Sequence, residues 1–321
     1  MVNLMKKLLV FVCVAALAVS LCASALAAEN NPSVVALKGP TAMGLVKLMK
    51  DDEAENKYAF TIAAAIDEVT PMLVKGEADI ACLPANLASV LYNNTEGQIR
   101  VLAVNTLGVL YIVENGDSVQ SVADLKGRTL YASGKGATPE YALDFILAQN
   151  GIDPEADVTI EWKSEHAECL AALLAEDGGV ALLPQPFVTT ALMKAEGLRV
   201  ALDLNQEWDA LGVDSTLITG VVVARAAFID ENPDTVASFM DEYAASVAFV
   251  NANTAEAAAL VGEYDIVPEA VAAKALPACN ITFIEGEALK AKLSGYLEVL
   301  MNANPKAVGG KLPEDDFYFA R

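Results

Sequence analysis

Residues 80–86, IACLPAN, and residues 180–186, VALLPQP, are two copies of one pattern, an apolar run that ends in Leu-Pro and a turn. A short apolar run bounded by such a turn is typical of a strand buried on both faces of a parallel sheet. Alternating strand and helix patterns lead into each copy, from Ser33 and from Thr129. The sequence therefore predicts an α/β protein with two similar lobes rather than a short-period repeat.

The order of the predicted strands indicates how the chain is divided between the lobes. A strand at 110–113 lies between the two copies, and a stronger one at 217–224 follows the second copy. If these two strands carry the chain from one lobe to the other, the first lobe is discontinuous. We predict that lobe 1 consists of residues 28–110 and 220–321 and lobe 2 of residues 111–219.

The first 27 residues have the pattern of a secretory signal. Lys6-Lys7 precede an apolar run from Leu8 to Val19 that is shorter than the roughly 20 residues of a membrane helix, and small residues follow up to Ala27. We predict cleavage after Ala27 and a mature protein in the periplasm or on the outer face of the cytoplasmic membrane. A lipid anchor at Cys22 is the alternative, and the bulky Leu21 disfavours it.

Composition excludes several classes of function. The net charge of −22 argues against nucleic acid as a partner. After the signal, Cys82, Cys169 and Cys279 are an odd number at wide spacing, which predicts buried free thiols rather than disulfides or a zinc site. The single histidine, His166, is expected on a solvated helix face, and no nucleophile motif is present. We predict no enzyme activity, no cofactor and no metal.

Ligands of open α/β sheets bind where the carboxyl ends of strands lead into helix N-termini. Four loops have that position, at residues 39–41, 83–86, 134–138 and 183–187, and each lobe contributes two. Thr138 before a proline predicts a helix start capped by the threonine hydroxyl. Because these loops contain no arginine and only one lysine, Lys135, a neutral or weakly anionic organic molecule is the expected ligand.

The chain resembles the exported solute-binding proteins of ABC transporters, in the group that handles nitrate, sulfonates, taurine and thiamine precursors. Short motifs in a shared order carry the resemblance, and they are residues 39–41 (GPT), 76–81 (GEADIA), 121–128 (SVADLKGR), 134–139 (GKGATP), 184–187 (PQPF) and 246–251 (SVAFVN). The resemblance implies a type II periplasmic-binding-protein fold. In that fold each lobe is a mixed, mostly parallel sheet flanked by helices, and the ligand cleft lies between the lobes.

The resemblance also implies which residues line the cleft. Thr41 and Thr138 would offer hydroxyls and helix N-terminal amides, Asn86 and Gln185 side-chain amides, and Phe187 an apolar wall. The family commonly has Glu where this chain has Gln185. Further candidates are Gly39, Pro40, Gly136, Tyr111 and Asn280.

The function implied is the capture of a small molecule by closure of the two lobes, followed by delivery to a membrane permease that a separate ATPase drives. We expect a monomer that makes or breaks no bond. A binding protein of a TRAP-type transporter is the first alternative. An exported enzyme of related fold would need the active-site histidine and cysteine-rich motif of the fungal pyrimidine-synthesising enzyme, which this sequence lacks, and an adhesin would have little use for four converging loops.

Overall fold

The structure, a computed structural model, describes residues 31–213 and 215–321, and the chain from Ser33 to Arg321 forms one compact unit. The predicted signal, its cleavage site and Cys22 lie outside the described residues.

The described residues contain eleven strands and thirteen α-helices. The strands are β1 (Ser33–Leu37), β2 (Ala59–Ala63), β3 (Ile80–Pro84), β4 (Ile99–Leu107), β5 (Leu110–Asn115), β6 (Thr129–Ser133), β7 (Thr159–Lys163), β8 (Val180–Pro184), β9 (Leu198–Asp203), β10 (Ile218–Arg225) and β11 (Ile281–Ile284). The helices are α1 (Pro40–Met43), α2 (Val46–Glu55), α3 (Ile66–Lys75), α4 (Ala85–Asn94), α5 (Thr138–Gln149), α6 (His166–Ala175), α7 (Phe187–Lys194), α8 (Leu204–Ala210), α9 (Ala226–Glu231), α10 (Pro233–Ala252), α11 (Thr254–Glu263), α12 (Glu269–Ala275) and α13 (Gly286–Ala303).

The strands form two mixed sheets with the same internal order. The first sheet runs β2-β1-β3-β10-β4-β11, and the second runs β7-β6-β8-β5-β9. In each sheet three parallel strands are followed by an antiparallel one, β10 beside β3 and β5 beside β8. The predicted two-lobed α/β fold, with mixed sheets flanked by helices, is confirmed.

The antiparallel strand of each sheet is the first strand after the chain passes from one sheet to the other. The chain leaves the first sheet after β4 and enters the second with β5, and it leaves the second after β9 and α8 and returns with β10. These passages, at residues 108–109 and 211–217, are called the first and second crossings below. The lobe boundaries at 110/111 and 219/220 stay a prediction.

The structure differs from the sequence-based elements in a few places. The pattern of residues 42–50 predicts a single helix, but the structure has two helices there, α1 and α2, separated by a turn at Gly44 and Leu45. The strand β9, the helix α8 and the strand β11 were not predicted, because charged residues interrupt β9 and β11 has only four residues. Some helix ends do follow a local signal in the sequence. For example, α3 ends at Gly76, a glycine in the left-handed conformation.

The prediction of buried free thiols is confirmed, since Cys82, Cys169 and Cys279 are all free and buried. Burial raises the pKa of Cys82 and of Cys279 to about 12. Thiols held neutral in this way behave as small apolar side chains.

Among the described residues, no single helix is both long and apolar enough to cross a membrane. One pair, Pro233–Ala252 with Thr254–Glu263, meets the length and composition test only when its two members are joined across a bend of 115°.

A buried carboxylate stabilises the start of the second lobe by accepting several hydrogen bonds. The side chain of Glu114, at the end of β5, is fully buried and receives a hydrogen bond of 2.6 Å from the guanidinium of Arg199. The backbone N–H groups of Ser118 and Val119 donate to the same carboxylate at 3.0 and 3.1 Å, as does the Ser118 hydroxyl. Burial alone would raise the pKa of Glu114, but these hydrogen bonds and the charge of Arg199 lower it below its usual 4.5.

We expect Glu114→Gln to lower the free energy of unfolding by about 2 to 3 kcal/mol at pH 7, because Arg199 loses its charged partner. The lowered pKa means that the unfolded chain takes up the proton first as the pH falls, so the stability from Glu114 is present above about pH 4.5 and is lost below it. Urea unfolding between pH 7 and pH 3 should show a flatter acid dependence for Glu114→Gln than for the exposed control Glu77→Gln. Parallel curves for the two variants would contradict this role.

Candidate functional site

The polar loops of the two lobes lie along facing edges of the two sheets. In the first sheet Leu37 ends β1, and Pro84 ends β3 beside Gly220 of β10. In the second sheet Pro184 ends β8 beside Leu110, the first residue of β5. Because the first crossing is only two residues long, it holds these edges next to each other. This junction is where the fold would hold a ligand.

A chain of hydrogen bonds links the lobes across this junction. The Thr138 hydroxyl, at the start of α5, donates to Asn86 Oδ1 of α4 at 3.3 Å. The Tyr296 hydroxyl of α13 donates to Thr138 Oγ1 at 3.4 Å, and Asn86 Nδ2 donates to the carbonyl of Ala307 at 3.2 Å. Asn86 and Thr138 are both buried. The structure thus brings together two predicted site residues that belong to different lobes.

The predicted role of Thr138 as a helix cap is wrong. The helix begins at Thr138 itself, the cap position is Ala137, and no side chain there accepts a hydrogen bond from the helix. The Thr138 hydroxyl is instead turned toward the other lobe. The residue therefore acts through an interlobe contact, while Pro139 occupies the first turn as expected.

Thr41 lies on the first-lobe edge and is buried. Its hydroxyl donates to the carbonyl of Leu37, four residues back at the end of β1, at 2.7 Å, so the hydroxyl is occupied within its own loop. The carbonyl of Thr41 accepts from Asn105 Nδ2 at 3.2 Å, and a β-carbon on Gly220 would come within 2.6 Å of both Thr41 and Asn105. Gly220 is therefore required for this close packing.

Gln185 and Phe187 lie on the second-lobe edge. Gln185 is buried, and its Oε1 accepts hydrogen bonds from the backbone N–H of Thr189 at 3.3 Å and from the Thr189 hydroxyl at 2.9 Å. The Gln185–Pro186 peptide bond is cis. Phe187 is half-buried and lies 4.9 Å, centroid to centroid, from the ring of His166.

The expectation that His166 lies on a solvated surface is wrong. The ring is half-buried at the start of α6, Nδ1 is hydrogen-bonded to the Ser133 hydroxyl, and burial lowers the pKa of His166 to about 4. The imidazole is therefore neutral at pH 7. Periodicity placed His166 on an outer helix face because the contact with β6 is not visible in the local sequence.

The loop residues Gly39, Pro40 and Gly136 differ in setting. Gly39 is buried with a positive φ of 127°, and Pro40 begins α1. Gly136 is exposed with a φ of 78°, and its N–H donates to the carboxylate of Glu140. The backbone N–H of Gly136 is thus engaged within its own loop.

Tyr111 connects the two lobes, and Asn280 holds the first crossing from the side of the first lobe. The Tyr111 hydroxyl donates to the carbonyl of Ala278 at 3.3 Å, and burial raises the pKa of Tyr111 to about 12. Asn280 has a left-handed backbone with φ of 45°, its carbonyl accepts from the N–H of Leu107 at 3.1 Å, and its Nδ2 donates to the carbonyl of Gly108. Asn280 therefore fixes the first crossing at its first-lobe end.

An aromatic contact between the lobes was missed at the sequence level. The ring of Trp208, in α8, lies 4.6 Å from Phe145 of α5 and 5.8 Å from Tyr296 of α13, and Trp208 is fully buried. The helix α13 packs against α4 and β4 of the first lobe and also against α5 of the second. One signal was available, since Tyr296 falls on the apolar face of a long predicted helix.

Two surface cavities of about 600 and 320 Å³ lie away from these residues. The first is lined mainly by residues of α2 and α10, among them Lys47, Asp51 and Glu242, and the second includes Gln98 and Arg225. None of the predicted site residues lines either cavity. Among the described residues, no group of three or more His, Cys, Asp or Glu side chains could hold a metal ion.

A family model described as the periplasmic substrate-binding protein of phosphonate ABC transporters matches residues 51–205. No curated protein matches the chain. Among solved structures, an ABC transporter protein from Parabacteroides distasonis is 25% identical with a TM-score of 0.77, over 91% of this chain and all of the other.

Two sulfonate-binding proteins are also similar in fold. The periplasmic aliphatic sulphonate-binding protein SsuA of Escherichia coli is 19% identical with a TM-score of 0.67, over 86% of this chain and 85% of that one. The alkanesulfonate-binding protein SsuA of Xanthomonas axonopodis, bound to MOPS, is 16% identical with a TM-score of 0.68, over 90% of this chain and 96% of that one. The resemblance to ABC transporter substrate-binding proteins and their type II fold is confirmed.

We expect Asn280→Ala to cost more stability than Asn280→Gly. Both variants lose the hydrogen bond to Gly108, worth about 1 kcal/mol, but alanine in a left-handed backbone costs about 1 kcal/mol more. Urea unfolding should therefore show losses of about 2 and about 1 kcal/mol, against no loss for Asn94→Ala at an exposed helix end. Equal losses for alanine and glycine would contradict the left-handed role of this position.

Proposed function

We propose that this chain, which has the fold of the substrate-binding proteins of ABC transporters, captures a small organic molecule between its two lobes and delivers it to a membrane permease. The observation that carries the proposal is the hydrogen-bonded contact of Thr138 with Asn86, because it joins loops of both sheets at their facing edges. A ligand that replaces this contact on both sides would favour the closed form. Because the ligand would bind the closed form more tightly than the open form, binding would shift the population of the protein toward the closed form.

The lobes are proposed to divide at residues 110/111 and 219/220, so that the two crossings serve as the hinge. The sheet membership of β5 and β10 supports this division. The predicted site residues that lie on the edges, above all Thr41, Asn86, Thr138, Gln185 and Phe187, are proposed as ligand contacts. Gly39, Pro40, Gly136, Tyr111 and Asn280 are proposed as supporting positions around them.

The ligand is proposed to be neutral or weakly anionic. Support comes from the side chains of the edge loops, which are amides, hydroxyls and aromatic rings, with a neutral His166 and a single exposed cation at Lys135. Helix N-termini after β6 and β8 add partial positive charge without a formal cation. The similar proteins whose names specify sulfonates or phosphonates make such oxygen-rich molecules the first to test.

The remaining parts of the proposal concern location and partners. We propose a monomer outside the cytoplasm, with the signal removed after Ala27, which works with a permease and an ATPase encoded separately and catalyses no reaction itself. The basic and apolar pattern of residues 6–27 supports export.

We expect one class of compound to raise the melting temperature of residues 28–321, because ligand that binds only the folded state stabilises it. The panel comprises sulfonates, phosphonates, nitrate, carboxylates, amino acids, purines, pyrimidines and aromatic acids, measured by differential scanning fluorimetry. A compound at a hundred times its dissociation constant should add about 2.7 kcal/mol. A flat response to the whole panel would count against a solute receptor for these classes.

We expect Thr138→Arg to abolish the ligand-induced rise in melting temperature. Thr138 is only 1% exposed, so a long cationic side chain would separate the two edges and displace Asn86. Thr138→Ser keeps the hydroxyl and should retain most of the rise. Unchanged affinity in a folded Thr138→Arg protein, measured by calorimetry, would contradict the assignment of this residue to the site.

A further inference from the structure

Buried polar atoms without a hydrogen-bond partner are concentrated in one stretch of the chain. Of six such side-chain atoms among the described residues, four fall between residues 205 and 219. They are Asn205 Oδ1, Trp208 Nε1, Ser215 Oγ and Thr219 Oγ1. Native structures leave few buried polar groups unpaired, and each requires a physical reason. The stretch coincides with α8, the second crossing and the start of β10.

These atoms lie at the junction of the lobes. Trp208 is enclosed by Phe145 and Tyr296, one from each lobe. Thr219 precedes Gly220, which packs on Thr41 and Asn105 of the first-lobe edge.

The residues on both sides of Thr219, whose hydroxyl is unpaired, belong to the same apolar core as Trp208. Leu217, Ile218 and Val221 are part of the apolar cluster that contains Trp208 and Tyr296. Ser215 lies in the second crossing itself. Trp208 is thus packed between rings of both lobes, and Thr219 is flanked by residues of the same apolar cluster.

Closure without a ligand carries a penalty at these groups. In this structure the indole N–H and the two hydroxyls have no protein partner, whereas separation of the lobes in the proposed opening would let water pair with them. Each unpaired group lowers the population of the closed form by a factor of about ten. A molecule between the lobes that pairs with them removes this penalty, so closure depends on the ligand.

We propose that Trp208 Nε1, Ser215 Oγ and Thr219 Oγ1 are the groups that the bound ligand satisfies in the closed form. The inference rests on the proposed function, and it assigns to the second crossing a ligand contact that lies outside the four loops of the sequence analysis. An indole N–H only donates, so the ligand presents an acceptor oxygen to Trp208. The three groups are uncharged, which fits an oxygen-rich head group held by neutral donors.

The ligand-free protein provides the first test. Thr219→Val has nearly the same shape and removes the penalty that the hydroxyl meets in the closed form, so the closed form becomes accessible without ligand and the melting temperature should rise by up to about 2 °C. Ser215→Ala should change it in the same direction. In the matched control Thr95→Val the lost hydroxyl is paired, with the Leu91 carbonyl at 2.7 Å, and the melting temperature should fall. A fall for Thr219→Val as large as for Thr95→Val would overturn the inference.

Binding provides the second test, with ethanesulfonate and methylphosphonate as probes together with any compound of the panel that stabilises the wild type. Thr219→Val should weaken binding by roughly three- to tenfold in calorimetry, while Thr95→Val leaves it unchanged. Higher stability without ligand combined with weaker binding is a pattern that a structural role would not give. Undiminished binding by both Thr219→Val and Ser215→Ala overturns this inference alone, whereas a wild type that binds none of the compounds counts against the proposed function.

The indole gives an independent readout because the chain has two tryptophans. Trp162→Phe changes a half-buried residue of β7 and leaves Trp208 as the sole fluorophore. Because separation of the lobes exposes the indole to water and closure on the ligand buries it, saturating ligand should shift its emission to shorter wavelength. An unchanged spectrum at saturation would overturn the assignment of Trp208.

Discussion

The antiparallel pairing of β10 with β3 and of β5 with β8 is the constraint on which the rest of the structure depends. Each of these strands is the first element after a crossing, and each is inserted beside the parallel strands of the sheet that it enters. Insertion in this way brings the carboxyl ends of the parallel strands in both sheets to one junction. The polar loops, the interlobe hydrogen bonds and the aromatic contact at Trp208 all follow from that arrangement.

The fold could be predicted from the sequence because its signals are local. The strands β3 and β8 are apolar runs that end in Leu-Pro, and the helical pattern of the sequence over about residues 286–303 matches α13. The strand β9 was missed because Arg199 and Asp203 interrupt its apolar pattern, and Arg199 finds its partner Glu114 85 residues away in the sequence. Propensity describes each segment alone, whereas β9 is stabilised by its pairing with β5.

The candidate site was less predictable because its contacts are distant in sequence. Thr138 was placed at the edge correctly, but its partner Asn86 is 52 residues away and Tyr296 is 158 residues away. His166 could not be placed for the same reason, since Ser133 and Phe187 reach it from neighbouring strand ends. Residue type and loop position identified candidate ligand residues, while the partner of each hydroxyl or amide required the tertiary structure.

The two crossings have a mechanical consequence. In the proposed closure, the two crossings would define an axis about which one lobe rotates against the other. One end of that axis is Gly108, where Asn280 holds the carbonyl and the side chain of Asn205 fills the space that a β-carbon would need. Packing at this pivot would set the direction of the proposed rotation, and substitutions there would redirect it without touching any group that is proposed to contact the ligand.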